Sequence, residues 1–292
     1  MGGHPETTES PMRKRTVALI IVASILIVAV GGVYWFGRSL FHEPSAQGVD
    51  SVIGEVGGTR VVGIFAHPDD EQTVNGLFTR AKTHDDAYTY MVTATRGEAG
   101  TQVPVVARQK DLGTVRMAES LKNSFNMGVD GHEVWDYPDG GVPQSEEEEL
   151  VERVADVLRQ QKPDVVVAFW PESGATGHKD HMEMGRITEL AILQVAEDDG
   201  AYTGPSHVVY TISPTKALTM FGGDAGAFVA ENQPEPTHSM PAEVQKKHEG
   251  WAIHASQENY MQETYILPTW LIYALWDSEF YSVRDLAEDP LD

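Results

Sequence analysis

The strongest constraint on this chain is an apolar run that ends in a crowd of ionisable side chains. Val61-Val62-Gly63-Ile64-Phe65 leads directly into Ala66-His67-Pro68-Asp69-Asp70-Glu71. A short run that is apolar at every position fits a strand covered on both faces. A histidine and three carboxylates at its end are costly to bury without a cation or a hydrogen-bond network. In open α/β sheets the carboxyl ends of the strands border the ligand crevice. The stretch therefore predicts a site as well as a strand, with His67 and Asp70 holding a metal and Asp69 doing acid–base work beside it.

The rest of the body repeats the alternation of short apolar runs with longer amphipathic ones. Strands are predicted near 60–66, 88–95, 132–136, 164–170 and 207–212, and helices near 72–84, 105–126, 145–161, 180–197 and 241–257. This pattern predicts a Rossmann-like three-layer α/β/α fold with a mostly parallel sheet. Residues 213–240, with Gly222-Gly223, Pro234 and Pro236, read as loop, and the aromatic tail 262–281 as a segment packed on the sheet or an edge strand. The acidic run Glu146 to Glu149 reads as a solvated helix start that suits the positive end of the helix dipole.

Before the body stands a segment of another kind. Thr16 to Phe36 is 21 residues without a charge, preceded by Arg13-Lys14-Arg15 and closed by Tyr34-Trp35-Phe36. As a helix it spans about 31 Å, enough for a hydrocarbon core of about 30 Å. The basic residues predict a cytoplasmic tail over 1–15, a single-pass anchor over 16–36, a flexible linker over 37–58 and an extracytoplasmic domain over 59–292. A cleaved signal peptide is the competing reading, with Ser45-Ala46-Gln47 as a weak cleavage site, although its apolar region is usually shorter. Net charge is -23, which argues against nucleic acid as a partner. Without the charged residues of the tail, the remainder carries 18 basic and 42 acidic residues, a difference of -24. There is no cysteine, so disulfides, thiolate metal sites and thiol nucleophiles are excluded and any transition-metal site uses His, Asp and Glu.

A second cluster, His178-Lys179-Asp180-His181, lies between the strand at 164–170 and the next helix. His178 and His181 are three apart and share a face at a helix start. One of them can complete a site begun by His67 and Asp70, and Asp180 can orient an imidazole. Two histidines and a carboxylate with open positions suit catalytic zinc and equally non-haem iron(II).

Together these motifs resemble the LmbE/PIG-L family of metal-dependent, mostly zinc-dependent, de-N-acetylases acting on N-acetylglucosamine derivatives. The resemblance rests on Ala66-His67-Pro68-Asp69-Asp70-Glu71, Thr95-Arg96-Gly97-Glu98-Ala99-Gly100 and Gly177-His178-Lys179-Asp180-His181. Arg116 and Glu119, Tyr137-Pro138-Asp139-Gly140, and Lys247 with His254-Ala255-Ser256-Gln257 add to it, so that it covers roughly 60–258. It implies His67, Asp70 and His181 as metal ligands, Asp69 as general base, and His178 as stabiliser of the tetrahedral intermediate or proton donor to the amine. It also implies Arg116 and Asp139 as sugar contacts. Lys179 replaces the family's usual proline. Thr176 stands where relatives acting on thiol-cofactor precursors often have tyrosine, which argues against such a substrate.

The remaining residues carry two readings each. Glu71 supports a ligand or caps a helix, Glu98 fixes its glycine-rich loop or touches a ligand imidazole, and Arg116 pairs with Glu119 across one helical turn or meets substrate. His254 reads as a packed helix residue. The expected function is removal of acetyl from an N-acetylated amino sugar in a glycolipid, cell-wall or secreted glycan. The alternatives are an amidase on another N-acyl amide and a surface glycan-binding module without turnover; nothing in the sequence sets an oligomeric state.

Overall fold

The computed structural model describes residues 11–291, so residues 1–10 of the expected basic tail lie outside the described residues. Two compact units divide the chain after Leu40. The first is a helix, Pro11–Leu40, whose stretch Leu19–Leu40 is long and apolar enough to cross a membrane. The helix runs past Phe36, where the uncharged run ends, because Gly37 to Leu40 present no strong breaker.

The second unit is built on an eight-stranded sheet: β1 (Gln47–Gly48), β2 (Arg60–Phe65), β3 (Tyr88–Thr95), β4 (Gly131–Tyr137), β5 (Val165–Phe169), β6 (His207–Ile212), β7 (His238–Pro241) and β8 (Ser278–Asp285). Their spatial order is β1-β7-β8-β6-β5-β2-β3-β4. All neighbours pair in parallel except β8, which runs antiparallel to both β6 and β7. The side chains of β2 divide between two cores. Val62 and Ile64 join Val154, Leu158 and Ile187 on one face, and Val61 and Phe65 join Leu77, Phe78 and Met127 on the other. That division is the physical content of the three-layer prediction, and each fully buried Val, Ile or Phe contributes about 1.5–3 kcal/mol.

β2 lies between β3 and β5, so the strand order reverses direction at the β2–β5 boundary. The register Val61↔Val165 to Gly63↔Val167 aligns the carboxyl ends of β2 and β5. The stretch after β2 carries His67 to Glu71, and the loop after β5 leads into the helix Lys179–Ala196. The two histidine motifs therefore face one crevice at a topological switch point.

Several expectations need correction. Residues 41–58 are not a flexible linker: Phe41 is buried, β1 pairs with β7, and the short helix Val52–Glu55 buries Val52 and Ile53 completely. The glycine and proline content of that stretch is turn chemistry within a packed unit. Residues 213–240 hold two helices, Thr215–Phe221 and Gly223–Asn232, and then β7. Gly226 permits close packing of the two helices, since a Cβ there would stand 2.3 Å from the Leu218 carbonyl oxygen. The tail supplies no edge strand, because β8 is inserted between β6 and β7 with Phe280 and Tyr281 buried. The helix expected from 105 begins at Leu112, after an irregular segment with exposed Val105 and Val106.

β8 also ties the C-terminal part to the first motif. The Glu279 carboxylate accepts the backbone N–H of Gly76 (2.9 Å) and Leu77 (3.0 Å), at the start of the helix Asn75–Thr83. It also pairs with buried Lys247 at 2.6 Å and accepts the Tyr281 hydroxyl at 2.6 Å. Removing one partner of a buried ion pair costs about 3–5 kcal/mol because the other charge is left uncompensated. Glu279→Ala should therefore lower the Tm in thermal denaturation by about 10 °C, and a shift within 2 °C would remove this tie from the account.

Candidate active site

The turn after β2 is shaped by Asp70. Its Oδ2 accepts the backbone N–H of Ala66 (3.0 Å) and His67 (2.7 Å), which leaves Oδ1 free to stand 3.1 Å from His181 Nε2. Burial alone would raise the Asp70 pKa. The His181 and His67 rings and the backbone donor outweigh it and hold the carboxylate well below its usual range.

The two ring tautomers follow from their outer contacts. His67 Nε2 lies 3.1 Å from both Asp139 Oδ1 and Asp180 Oδ2, so that nitrogen carries its proton and Nδ1 faces inward. His181 Nδ1 donates to the Gly174 carbonyl at 2.9 Å, with Thr176 Oγ1 also at 2.9 Å, so Nε2 faces inward. The His181 ring stacks on Phe169 at the end of β5, with centroids 4.2 Å apart and planes 4° apart. Gly174 has φ 60°, and a Cβ there would stand 2.8 Å from His181 Cβ. His67 Nδ1 and His181 Nε2 are 3.0 Å apart, with Asp70 Oδ2 3.8 Å from His67 Nδ1.

Two inward lone pairs at that distance beside a carboxylate require a cation between them. Without a metal the cation is a proton: burial disfavours it, but Asp139, Asp180 and Asp70 together push the His67 pKa up to about 10. The donor set, two imidazole nitrogens and a carboxylate oxygen, fits a divalent transition metal with open positions. Two triads bring potential ligand atoms within 4.8 Å of one another, His67–His178–His181 and His67–Asp139–Asp180. The second is what orients the His67 ring. Asp180 is itself held by the backbone N–H of Gly140 at 2.8 Å.

Asp69 adopts a left-handed backbone with φ 94°, a conformation that costs a non-glycine residue about 1–2 kcal/mol. Its N–H donates to Glu71 Oε2 at 3.0 Å, and its Oδ1 lies 3.1 Å from Arg116. Burial pushes the Asp69 pKa up to about 6, with the Arg116 charge restraining the rise. Arg116 also donates to the carbonyls of Gly97 (3.0 Å) and Pro68 (2.6 Å). The loop after β3 yields room for it, since a Cβ on Gly97 or Gly100 would stand 2.4 or 2.5 Å from its guanidinium.

His178 caps the helix Lys179–Ala196, its Nδ1 accepting the Asp180 N–H at 3.2 Å. Its ring centre is 4.6 Å from that of His67 and 5.2 Å from that of His181. Burial and these two rings lower its pKa. A cavity of about 440 Å³ is lined by His67, Asp69, Asp70, Arg116, Asp139, His178 and His181.

Other sequence-predicted residues take less direct places. The Glu98 carboxylate accepts the Asp139 N–H at 2.9 Å and so fixes the turn carrying Asp139. The Arg116–Glu119 pair does not form; Glu119 instead accepts the Ser256 hydroxyl at 2.6 Å and its N–H at 3.0 Å. Glu71 is buried and supports Asp69 from beneath, with Oε1 meeting His254 Nε2 at 2.6 Å and Asn123 Nδ2 at 3.0 Å. His254 is thus more than a packed residue. Its separation from Glu71 by 183 positions carries no local signal, and the motif it stands in was the only clue.

Residues 62–192 match the family model described as PIG-L, GlcNAc-PI de-N-acetylase. A curated relative from Corynebacterium urealyticum, named 1D-myo-inositol 2-acetamido-2-deoxy-alpha-D-glucopyranoside deacetylase, is 27% identical over 68% of this chain and 70% of its own length. Another protein of that name, from Kineococcus radiotolerans, is 28% identical over 50% of this chain, but only 48% of that relative's length is spanned. Among solved structures, the N,N'-diacetylchitobiose deacetylase from Pyrococcus horikoshii superposes with a TM-score of 0.61 at 16% identity. That superposition covers 80% of this chain and 86% of the other, a likeness of fold.

Because Arg116 restrains the Asp69 pKa, Arg116→Gln should move it above about 6. A pH titration of the metal-free protein by carboxyl-resolved NMR reads this directly, and an unmoved titration would show that the pair is not coupled.

Proposed function

We propose, starting from the PIG-L/LmbE domain that this chain carries, that the protein is a metal-dependent hydrolase that removes the N-acetyl group from an N-acetylglucosamine-type amino sugar. The observation that carries the reading is the inward pairing of His67 Nδ1 and His181 Nε2 beside Asp70, with the strained carboxylate of Asp69 next in sequence. A binding module has no need of a half-buried carboxylate poised near neutrality.

His67, Asp70 and His181 would hold the ion, zinc in this reading, with iron(II) suiting the same donors. When bound, it supplies Lewis acidity to the amide carbonyl and lowers the pKa of the attacking water. Asp69 is the general base. Its carboxylate takes a proton from that water as the new C–O bond forms, and returns it to the amine nitrogen as the C–N bond breaks, giving acetate and the free amino sugar. Arg116 keeps Asp69 ionised and aimed. Neutral His178, whose Nδ1 accepts the Asp180 N–H, carries its proton on Nε2 and can donate to the developing oxyanion. This geometry favours the stabilising role for His178 over proton delivery to the amine. Arg116 is engaged with Asp69 and two carbonyls, so its contribution to the sugar is indirect, while Asp139 keeps His67 in its tautomer.

The apolar helix would hold the chain in a membrane, with the basic residues Arg13 to Arg15 on the cytoplasmic side and the catalytic unit outside. A cleaved signal sequence passes the same test of length and composition.

The purified protein should release acetate from N-acetylglucosamine conjugates and lose that activity to a chelator, regaining it with added metal. Asp69→Asn should lower kcat by about 10²–10⁴-fold, the range of a lost general base, with bound metal retained. The base works ionised, so wild-type kcat/KM should fall as pH drops through about 6 or below, the bound cation lowering the Asp69 pKa further. Full activity in a His67→Ala, Asp70→Ala double variant would overturn the proposal.

A further inference from the structure

The cavity that holds the imidazoles does not end with them. It is also lined by Trp251, Tyr265, Tyr273, Trp276, Met261 and Leu218, all from the part of the chain beyond the family match, which stops at residue 192. The indole nitrogens and the Tyr273 hydroxyl are engaged or sealed. Trp251 Nε1 donates to the Tyr273 hydroxyl at 2.6 Å, and Trp276 Nε1 is buried without a partner. The nearby ammonium of Lys247 is closed off by Glu279 at 2.6 Å and the Gln72 carbonyl at 2.5 Å. These residues give the chamber mainly ring surface and a thioether, beside polar lining from Thr211, Ser213, Gln257, Tyr260 and Thr264.

The walls are also pre-formed. Tyr265 and Trp276 lie 6.0 Å apart, and both pack on Phe41 at 5.5 Å. Trp251 is 6% exposed, Tyr273 4% and Tyr265 7%, so the rings are held by the fold rather than left free to collapse into the cavity. Walls of this kind attract apolar and planar groups; a hydroxyl-rich ring can stack on them through its C–H face but finds few hydrogen bonds for its hydroxyls.

We propose that this aromatic chamber binds an apolar group carried by the amino-sugar substrate, either an aryl or alkyl aglycone or the chain of a longer N-acyl group. The inference rests on the deacetylase reading above and adds what the sugar is attached to. The chamber contributes binding energy away from the reacting carbonyl, so its contacts appear chiefly in KM.

The test uses the full-length, metal-loaded protein in lipid nanodiscs and compares kcat/KM across matched pairs. Phenyl against methyl N-acetyl-β-glucosaminide probes the aglycone, and methyl N-hexanoyl- against N-acetyl-glucosaminide probes the acyl chain. A preference of tenfold or more for the apolar member of either pair is expected, and the pair that shows it identifies the source. Trp251→Ala and Tyr265→Leu should shrink that preference through KM. Ratios near one in both pairs, or a preference for a hydroxylated aglycone such as glucosyl or inositol over phenyl, overturn the proposal. If no substrate turns over, the deacetylase reading fails separately. Calorimetry with both matched pairs then decides: tighter binding of the apolar member of either pair supports the chamber, and equal or absent binding in both overturns it.

Discussion

The pairing of His67 Nδ1 with His181 Nε2 across 3.0 Å, beside Asp70, is the contact on which the rest of the site depends. Two imidazole lone pairs repel at that distance, and the buried carboxylate adds a third donor. Only a cation between them makes the arrangement stable. The surrounding structure fixes this orientation from outside: Asp139 and Asp180 hold the far nitrogen of His67, and the Gly174 carbonyl holds that of His181. These contacts prevent either ring from turning its N–H inward. The site is thereby pre-organised for a positive charge before any substrate arrives.

Holding Asp69 takes more of the molecule than holding His67, Asp70 and His181. Its left-handed backbone persists because Arg116 grips it from the side of β3 and Glu71 from beneath, with His254 and Asn123 steadying Glu71. The groups involved come from the turn after β2, the helix Leu112–Met127 and the end of the helix Val244–Ile253. Local strain at Asp69 is thus balanced by contacts that reach as far as His254, 183 positions beyond Glu71. The helix Val244–Ile253, which ends at His254 beneath Glu71, also carries Trp251 into the wall of the aromatic chamber, so the bracing of Asp69 and the shape of the cavity are coupled through one region.

The crevice that holds the histidine motifs was legible in the sequence because its signals are local. A strand apolar at every position, Val61 to Phe65, ends at His67, and another, Val165 to Phe169, delivers His178 and His181, and a parallel sheet brings such strand ends together. What stayed hidden depends on long-range pairing. Nothing near Glu279 announces that it caps the helix at Gly76 or neutralises Lys247, and nothing near residue 278 indicates insertion between β6 and β7 rather than addition at an edge. Composition misled where glycine serves packing. The Gly226–Leu218 contact joins two helices, although the glycines read as loop, and residues 41–58 share the turn chemistry of a linker while burying Phe41, Val52 and Ile53. Arg116, expected either to pair with Glu119 one turn away or to meet substrate, turns toward Asp69.

The central claim is that the His67–Asp70–His181 triangle is a metal site, and calorimetric titration of zinc into the metal-stripped chain tests it most directly. With the His67 pKa pushed up to about 10, the metal-free site holds a proton at neutral pH, so metal must displace it. The account predicts one ion bound per chain, with a proton released on binding that is revealed by the dependence of the heat on buffer ionisation. Both the ion and the proton should be lost in His67→Ala. Absence of stoichiometric binding, or binding undiminished in His67→Ala, would contradict it.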